Sequence, residues 1–209
     1  WEERGGLPRN ALFRNVGGRF EDVSAGSGAD LEVRGNGCVA ADLNGDGHTD
    51  LFVTTVGTDA LLWNDGDGTF TEGAEKAGIT PWGWHAGATV GDVNLGGRPD
   101  LFVAGYTSMS DAIVGSTAGF PTDHRGVPDR LYLNLGNDRE GRARFREVAG
   151  EVGIDRRGEH GLGATFSDVD GDHRLDLVVA NDEDPNRMYL NRQADTPLGF
   201  RFVDEAKVR

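Results

Sequence analysis

The chain has 209 residues, 35 acidic against 21 basic side chains, and a formal charge of −14. That balance argues against nucleic acid as a partner, because phosphate binding needs clustered Lys and Arg. No apolar run approaches the roughly 20 residues of a membrane-spanning helix. The single cysteine, Cys38, excludes an internal disulfide and, in its short apolar run, reads as a small core residue. The length permits a substantial core in one domain or two small ones, and 33 glycines among short apolar runs predict many tight turns.

From the N-terminus, Leu12-Phe13-Arg14-Asn15 and a strand holding Phe20 flank a glycine turn and run into Glu21-Asp22-Val23-Ser24. Gly37 then precedes an apolar strand that enters Asp42-Leu43-Asn44-Gly45-Asp46-Gly47-His48-Thr49-Asp50 and leaves through Leu51-Phe52-Val53. Oxygen side chains stand at positions 1, 3, 5 and 9 of this loop, namely Asp42, Asn44, Asp46 and Asp50. Hard cations such as Ca2+ take about six to eight oxygens at roughly 2.3–2.6 Å, more than one of them from carboxylates. Alternate positions point inward only if the backbone curls around the ion, which Gly45 and Gly47 permit. Position 7, His48, would then offer its backbone carbonyl. An acidic surface turn has the same composition, since Asp, Asn and Gly favour turns in any case, so one copy leaves both readings open.

The loop recurs. Asp92-Val93-Asn94-Leu95-Gly96-Gly97-Arg98-Pro99-Asp100 and Asp168-Val169-Asp170-Gly171-Asp172-His173-Arg174-Leu175-Asp176 keep the frame, each with a Gly five residues ahead (Gly87, Gly163) and an apolar run behind. Chance turns do not repeat an oxygen ladder in register, which favours calcium over a plain turn, most clearly in the first and third loops. A second motif also repeats: Leu12 to Asn15, Leu61-Leu62-Trp63-Asn64, Leu131-Tyr132-Leu133-Asn134 and Met188-Tyr189-Leu190-Asn191, each followed by a turn and a strand with Phe20, Phe70, Phe145 or Phe202. The Asn residues are spaced by 49, 70 and 57, the middle unit being lengthened by Tyr106 to Asp129.

Each unit reads as strand, metal loop, strand, Asn-ended strand, turn, Phe strand and linker, which is a four-stranded β-propeller blade. No window has the 3.6-residue apolar spacing of a helical repeat. The expected architecture is all-β, a single propeller segment of about three and a half four-stranded antiparallel blades. Residues 1–30 give the closing strands of a partial blade, 31–80 a blade with loop 42–50, 81–155 a blade with loop 92–100 and insert 106–129, and 156–209 a blade with loop 168–176. The chain opens on closing strands and stops at Ala206-Lys207-Val208-Arg209, one residue before the Gly that the pattern predicts. The expectation is a seven-bladed ring completed by further blades of the same polypeptide or by a second copy of the chain.

These repeats resemble the FG-GAP/VCBS family of integrin-α-type propeller blades and, within it, the cartilage-acidic-protein-like branch. The resemblance rests on the three Asp loops, the Leu-Tyr-x-Asn strands, the Phe-x-Glu-Val-Ala closures and the lead-in Trp82-Gly83-Trp84-His85-Ala86-Gly87. It covers nearly the whole chain outside the insert. It implies calcium in the hairpin between the first two strands of each blade. The implied ligands are Asp42, Asn44, Asp46 and Asp50; Asp92, Asn94 and Asp100; and Asp168, Asp170, Asp172 and Asp176, with the backbone carbonyls of His48, Arg98 and Arg174. Two departures stand out: Gly96 replaces an acidic ligand in the second loop, and His173 replaces a Gly in the third, at a position that calls for positive φ. The resemblance therefore implies two to three ions, with the second loop the weakest.

An EF-hand would need an acid at position 12 and flanking helices; here position 12 is Val53, Val103 or Val179, between strands. His48 and His173 lie inside loops, His85 and His160 precede strands, and His124 sits in the insert, with no pair at a transition-metal spacing. No nucleophile elbow surrounds a Ser or Cys38, and no catalytic residue is assigned. The insert is long for a compact repeat, and such loops are often functional. It sets Met109, Ile113, Val114 and Phe120 beside Asp111, Asp123, His124, Arg125 and Asp129, either as a binding surface or as packing. Trp82 and Trp84 fit core or blade-interface packing better than sugar stacking. The function expected is a calcium-binding propeller module that binds protein or glycan. Its setting is expected to be secreted, extracellular or periplasmic, because weak calcium sites fill only near millimolar calcium. The competing class is a lyase- or hydrolase-type propeller acting on polysaccharide or a small metabolite.

Overall fold

The computed structural model describes residues 8–80, 82–113, 115–154 and 157–206; Val114 and the Lys207–Arg209 end lie outside them. A hairpin of β1 (Phe13–Val16) and β2 (Arg19–Asp22) forms a two-stranded sheet. An antiparallel meander follows: β3 (Gly35–Ala41), β4 (Asp50–Thr58), β5 (Ala60–Asn64) and β6 (Phe70–Glu72). A one-turn helix, α1 (Ala74–Ala77), is closed by Gly78 in the left-handed region at φ 92°. The second meander comprises β7 (Trp82–Gly91), β8 (Asp100–Gly105), β11 (Arg130–Asn137) and β12 (Ala143–Glu147), with the hairpin β9 (Thr107–Ala112) and β10 (His124–Gly126) set between β8 and β11. The third, β13 (Gly161–Ser167), β14 (Asp176–Asn181), β15 (Arg187–Gln193) and β16 (Phe200–Asp204), is a separate four-stranded sheet in sequence order. The fold is all-β, with antiparallel sheets arranged as partial β-propeller blades.

The core lies between the sheets. One cluster joins Phe102, Leu131 and Val148 of the second meander to Leu177, Tyr189 and Phe202 of the third. Another joins Phe52, Leu61 and Trp63 of the first to Leu101, Tyr132 and Phe145 of the second. Burying an aliphatic or aromatic side chain this way contributes on the order of 1.5–3 kcal/mol, so each sheet gains most of its stability from its neighbours. The innermost strands approach closely because Gly37 and Gly87 are small. A Cβ on Gly37 would lie 2.8 Å from the Ala86 carbonyl oxygen, and one on Gly87 would lie 2.9 Å from that of Leu162. The glycine five residues ahead of the first two loops is thus a packing residue between neighbouring sheets, while a Cβ on Gly163 would meet nothing within 4 Å. The first two meanders also share a ladder, with Val56, Gly57 and Thr58 of β4 paired to Trp84, Gly83 and Trp82 of β7.

That ladder corrects one expectation: His85 lies within β7 rather than before it, because β7 is lengthened to pair with β4. Cys38 is exposed, not core. It lines an open cavity of about 420 Å³ on the outer face of the first meander, with Leu12, Leu51, Val53 and Leu62. Trp82 is 61% exposed and so is not a core residue either. Trp84 is half-buried against Tyr106 and Phe120, at ring-centroid distances of 5.1 and 5.7 Å.

Candidate functional site

The three acidic loops join β3 to β4, β7 to β8 and β13 to β14, at one end of the sheets. Each is shaped by the same contacts. The Asp at position 1 turns its carboxylate inward and accepts backbone N–H groups: Asp42 from Gly45 (2.7 Å) and Gly47 (2.9 Å), Asp92 from Gly96 (2.8 Å) and Gly97 (2.7 Å), Asp168 from Gly171 (2.7 Å) and His173 (2.9 Å). Closing so tight a curl places positions 4 and 6 in the left-handed region. Position 4 is Gly45 (φ 75°), Leu95 (58°) or Gly171 (81°), and position 6 is Gly47 (87°), Gly97 (77°) or His173 (68°). His173 does adopt the positive φ that the sequence called for. Leu95 at a second such position was not anticipated, since nothing in the apolar letter marks it; the conformation costs an L-residue roughly 1–2 kcal/mol.

Position 9 is buried in every loop: Asp50, Asp100 and Asp176 have no exposed surface. One oxygen of each accepts the N–H of position 2, Leu43, Val93 or Val169, at 2.9–3.0 Å. The other accepts the backbone N–H of Asn64, Asn134 or Asn191 at 2.8–2.9 Å. This gives the repeated Asn a role that its recurrence signalled but did not define. Its side chain also ties neighbouring sheets together: Asn134 Nδ2 donates to the Leu43 carbonyl (2.8 Å) and Asn191 Nδ2 to the Val93 carbonyl (2.7 Å), each in the preceding loop. Burial pushes the Asp100 carboxyl up to about 6, against the pull of the N–H bonds from Asn134 and Val93. Burial raises Asp50 in the same direction.

Positions 3 and 5 are the open part of the cage. Asn44 Nδ2 donates to Asp46 Oδ2 at 2.9 Å, and Asp46 Oδ1 accepts the His48 N–H at 2.8 Å, which holds its carboxyl below the ordinary carboxylate value. In the third loop, Asp168, Asp170 and Asp176 present oxygens all within 4.8 Å of one another, and this cluster could hold an ion. In the second loop Gly96 leaves position 5 without a side chain, and Arg98 instead donates to the Asn134 carbonyl at 3.2 Å. The donor set of alternating carboxylate, amide and backbone oxygens suits a hard cation.

The opposite end of the sheets carries different chemistry. His85, fully buried, lies 2.8 Å from Asp59 in the turn between β4 and β5. Tyr106 donates its hydroxyl to Asp182 at 2.9 Å. His160 sets Nδ1 2.7 Å from Asp184 and Nε2 3.2 Å from the His124 carbonyl of the insert. Phe120 packs over Trp84, Tyr106 and His124, with centroids 5.7–6.0 Å away. The insert is thus docked on the third sheet, while Met109 and Phe120 keep about half their surface exposed.

Comparison with known proteins matches this geometry. A profile of FG-GAP-like repeats matches residues 5–53 and 42–103, spans that hold the first two loops. Residues 5–103 match FG-GAP-like repeats. It is also similar to cartilage acidic protein 1 of Mus musculus, 24% identical over 214 residues, and to the Homo sapiens and Xenopus tropicalis proteins of the same name, each 23% identical. These alignments cover 93–94% of the chain and 29% of each relative, so the chain spans under a third of the length of the curated relatives it matches. Among the described residues of this FG-GAP-like chain, no helix is long and apolar enough to cross a membrane.

Proposed function

We propose that this chain is a calcium-binding β-propeller module of a secreted protein, with a binding or adhesive role toward protein or glycan. The observation that carries the reading is the shared scaffolding of three loops, in which a buried position-9 Asp fixes the cage while positions 1 and 3, and in the first and third loops position 5, keep side-chain oxygens for a cation. The ions would be held by Asp42, Asn44, Asp46 and Asp50 with the His48 carbonyl, and by Asp168, Asp170, Asp172 and Asp176 with the Arg174 carbonyl. A weaker third site would use Asp92, Asn94 and Asp100 with the Arg98 carbonyl. Bound calcium would neutralise the converging carboxylates and stiffen the end of each blade. A setting with near-millimolar calcium follows, since sites of this exposed kind fill only there, which favours the outside of the cell. Likeness to cartilage acidic protein 1 supports a binding role.

Equilibrium dialysis with elemental analysis tests the metal reading. Protein stripped with chelator should regain two to three calcium ions, and the double variant Asp50→Ala, Asp176→Ala should regain fewer. Protein that stays calcium-free at millimolar calcium would contradict it. For the binding role, the calcium-loaded chain on glycan and matrix-protein arrays should be retained and should release in chelator. Cleavage of arrayed glycans would instead favour the catalytic class.

A further inference from the structure

The residue that follows the repeated Asn stands at or near the end of the third strand of each unit. It is Asp65 in the first unit, Leu135 in the second and Arg192 in the third. The Arg192 guanidinium donates through Nη1 to Asp170 and, at 3.3 Å, to Asp172, and its Nη2 lies 3.9 Å from Glu205. Asp170 and Asp172 are positions 3 and 5, and Asp170 belongs to the cluster whose oxygens gather within 4.8 Å. The cation nearest these carboxylates is thus part of the chain. In the first loop the equivalent Asp65 is turned toward Arg142 (3.3 Å) and Thr71 (2.8 Å), and Leu135 is an exposed apolar residue.

We propose that Arg192 is a built-in counter-cation of the third loop, holding its carboxylates together without metal and weakening their hold on calcium. The inference rests on the calcium reading of the loops and changes what that reading implies. By carboxylate number, the third loop, with four, should outrank the first, with three. A fixed positive charge on two of the four removes that advantage, because it repels the incoming ion and because the guanidinium–carboxylate bonds must loosen for both oxygens to turn to the metal. One guanidinium nitrogen, Nη1, is shared by both carboxylates, so the empty cage does not spring open from its own repulsion.

The test is calcium titration of wild type, Arg192→Gln and Arg192→Lys followed by 15N–1H NMR, reading the Gly171 amide for the third loop and the Gly45 amide for the first. Arg192→Gln should bind calcium at the third loop roughly three- to tenfold more tightly, with the first loop unchanged. Arg192→Lys, which keeps the charge, should stay within about twofold of wild type. In chelator, Arg192→Gln should melt below wild type. Third-loop affinity that is unchanged or weaker in an Arg192→Gln protein that still binds calcium overturns the inference alone. No calcium response at Gly171 in any of the three proteins overturns it together with the calcium reading.

Discussion

At the loop end of the blades one set of contacts recurs three times: position 1 gathers N–H groups and position 9 is buried between two more, one of them from the Asn of the third strand, and in two of the three that Asn also reaches back to the preceding loop. At the opposite end the backbone frame recurs as well, with the N–H groups of Val56, Tyr106 and Asp182 donating to the Arg34, Trp84 and His160 carbonyls, and Asp59, Asp129 and Asn186 each accepting an N–H from the end of the second strand; what differs there is the side-chain contact between neighbouring sheets. Asp59 with His85 and Tyr106 with Asp182 are different side-chain solutions to joining neighbouring sheets, and the insert lies in one unit alone. The loop end repeats its side-chain contacts as well as its backbone frame, which is what the proposed cation cage requires. At the other end only the frame is shared, and the side chains that bridge the sheets vary from blade to blade.

The largest expected effect lies at the loop end. Asp176→Ala leaves the Val169 and Asn191 N–H groups without an acceptor, and each such loss costs about 1–3 kcal/mol. Urea denaturation in chelator should show a loss of about 2–5 kcal/mol. Asp184→Ala, at the varied end, should lose less than half of that; equal losses would break the contrast between the two ends. Next comes Asn191→Ala, which frees the carbonyls of Val93 and Leu175. It should cost about 1–3 kcal/mol and raise amide exchange in the second loop as well as the third, which an isolated loop would not do.

Tyr106→Phe should cost about 1 kcal/mol by loss of its bond to Asp182. That cost should be the same in calcium and in chelator, which sharpens the separation of the two ends. A calcium-dependent cost would link them. Smaller still is a pH effect. Asp100 has a folded pKa of about 6, above its ordinary 3.8, so the folded state binds its proton more tightly than the unfolded state does. The stability this contributes is full below 3.8 and is lost as pH rises through about 6. In chelator, Asp100→Asn should therefore flatten the fall in stability between pH 4 and 6 relative to wild type; an unchanged slope would mean that burial does not govern this carboxyl.

What could be read from the sequence follows the same division. The loops, their flanking strands and the blade-like repeat are local patterns, and repetition separated them from chance. Gly37, Gly87 and Gly163 were visible as a spacing, but the packing role of Gly37 and Gly87 appears only when neighbouring sheets are brought together. Cys38, Trp82 and His85 were misplaced for a related reason. Whether a side chain on one sheet is buried depends on what the adjacent sheet sets against it, and an apolar or aromatic letter does not carry that information. Arg192 escaped notice because its partners lie 20 and 22 residues away, across two strands. The insert was recognised as unusual, but its docking through Tyr106, Phe120 and His124 depends on Asp182 and His160 of the next sheet.

The central claim is that the loops are cation cages that exist only in the folded chain, so that calcium stabilises it by mass action. Thermal unfolding of the same preparation in millimolar calcium and in excess chelator, with metal content verified in both, tests this most directly. The account predicts a clearly higher melting temperature with calcium, and a smaller shift in the Asp50→Ala, Asp176→Ala double variant. Coincident melting curves for the calcium-loaded and metal-free chain would contradict it.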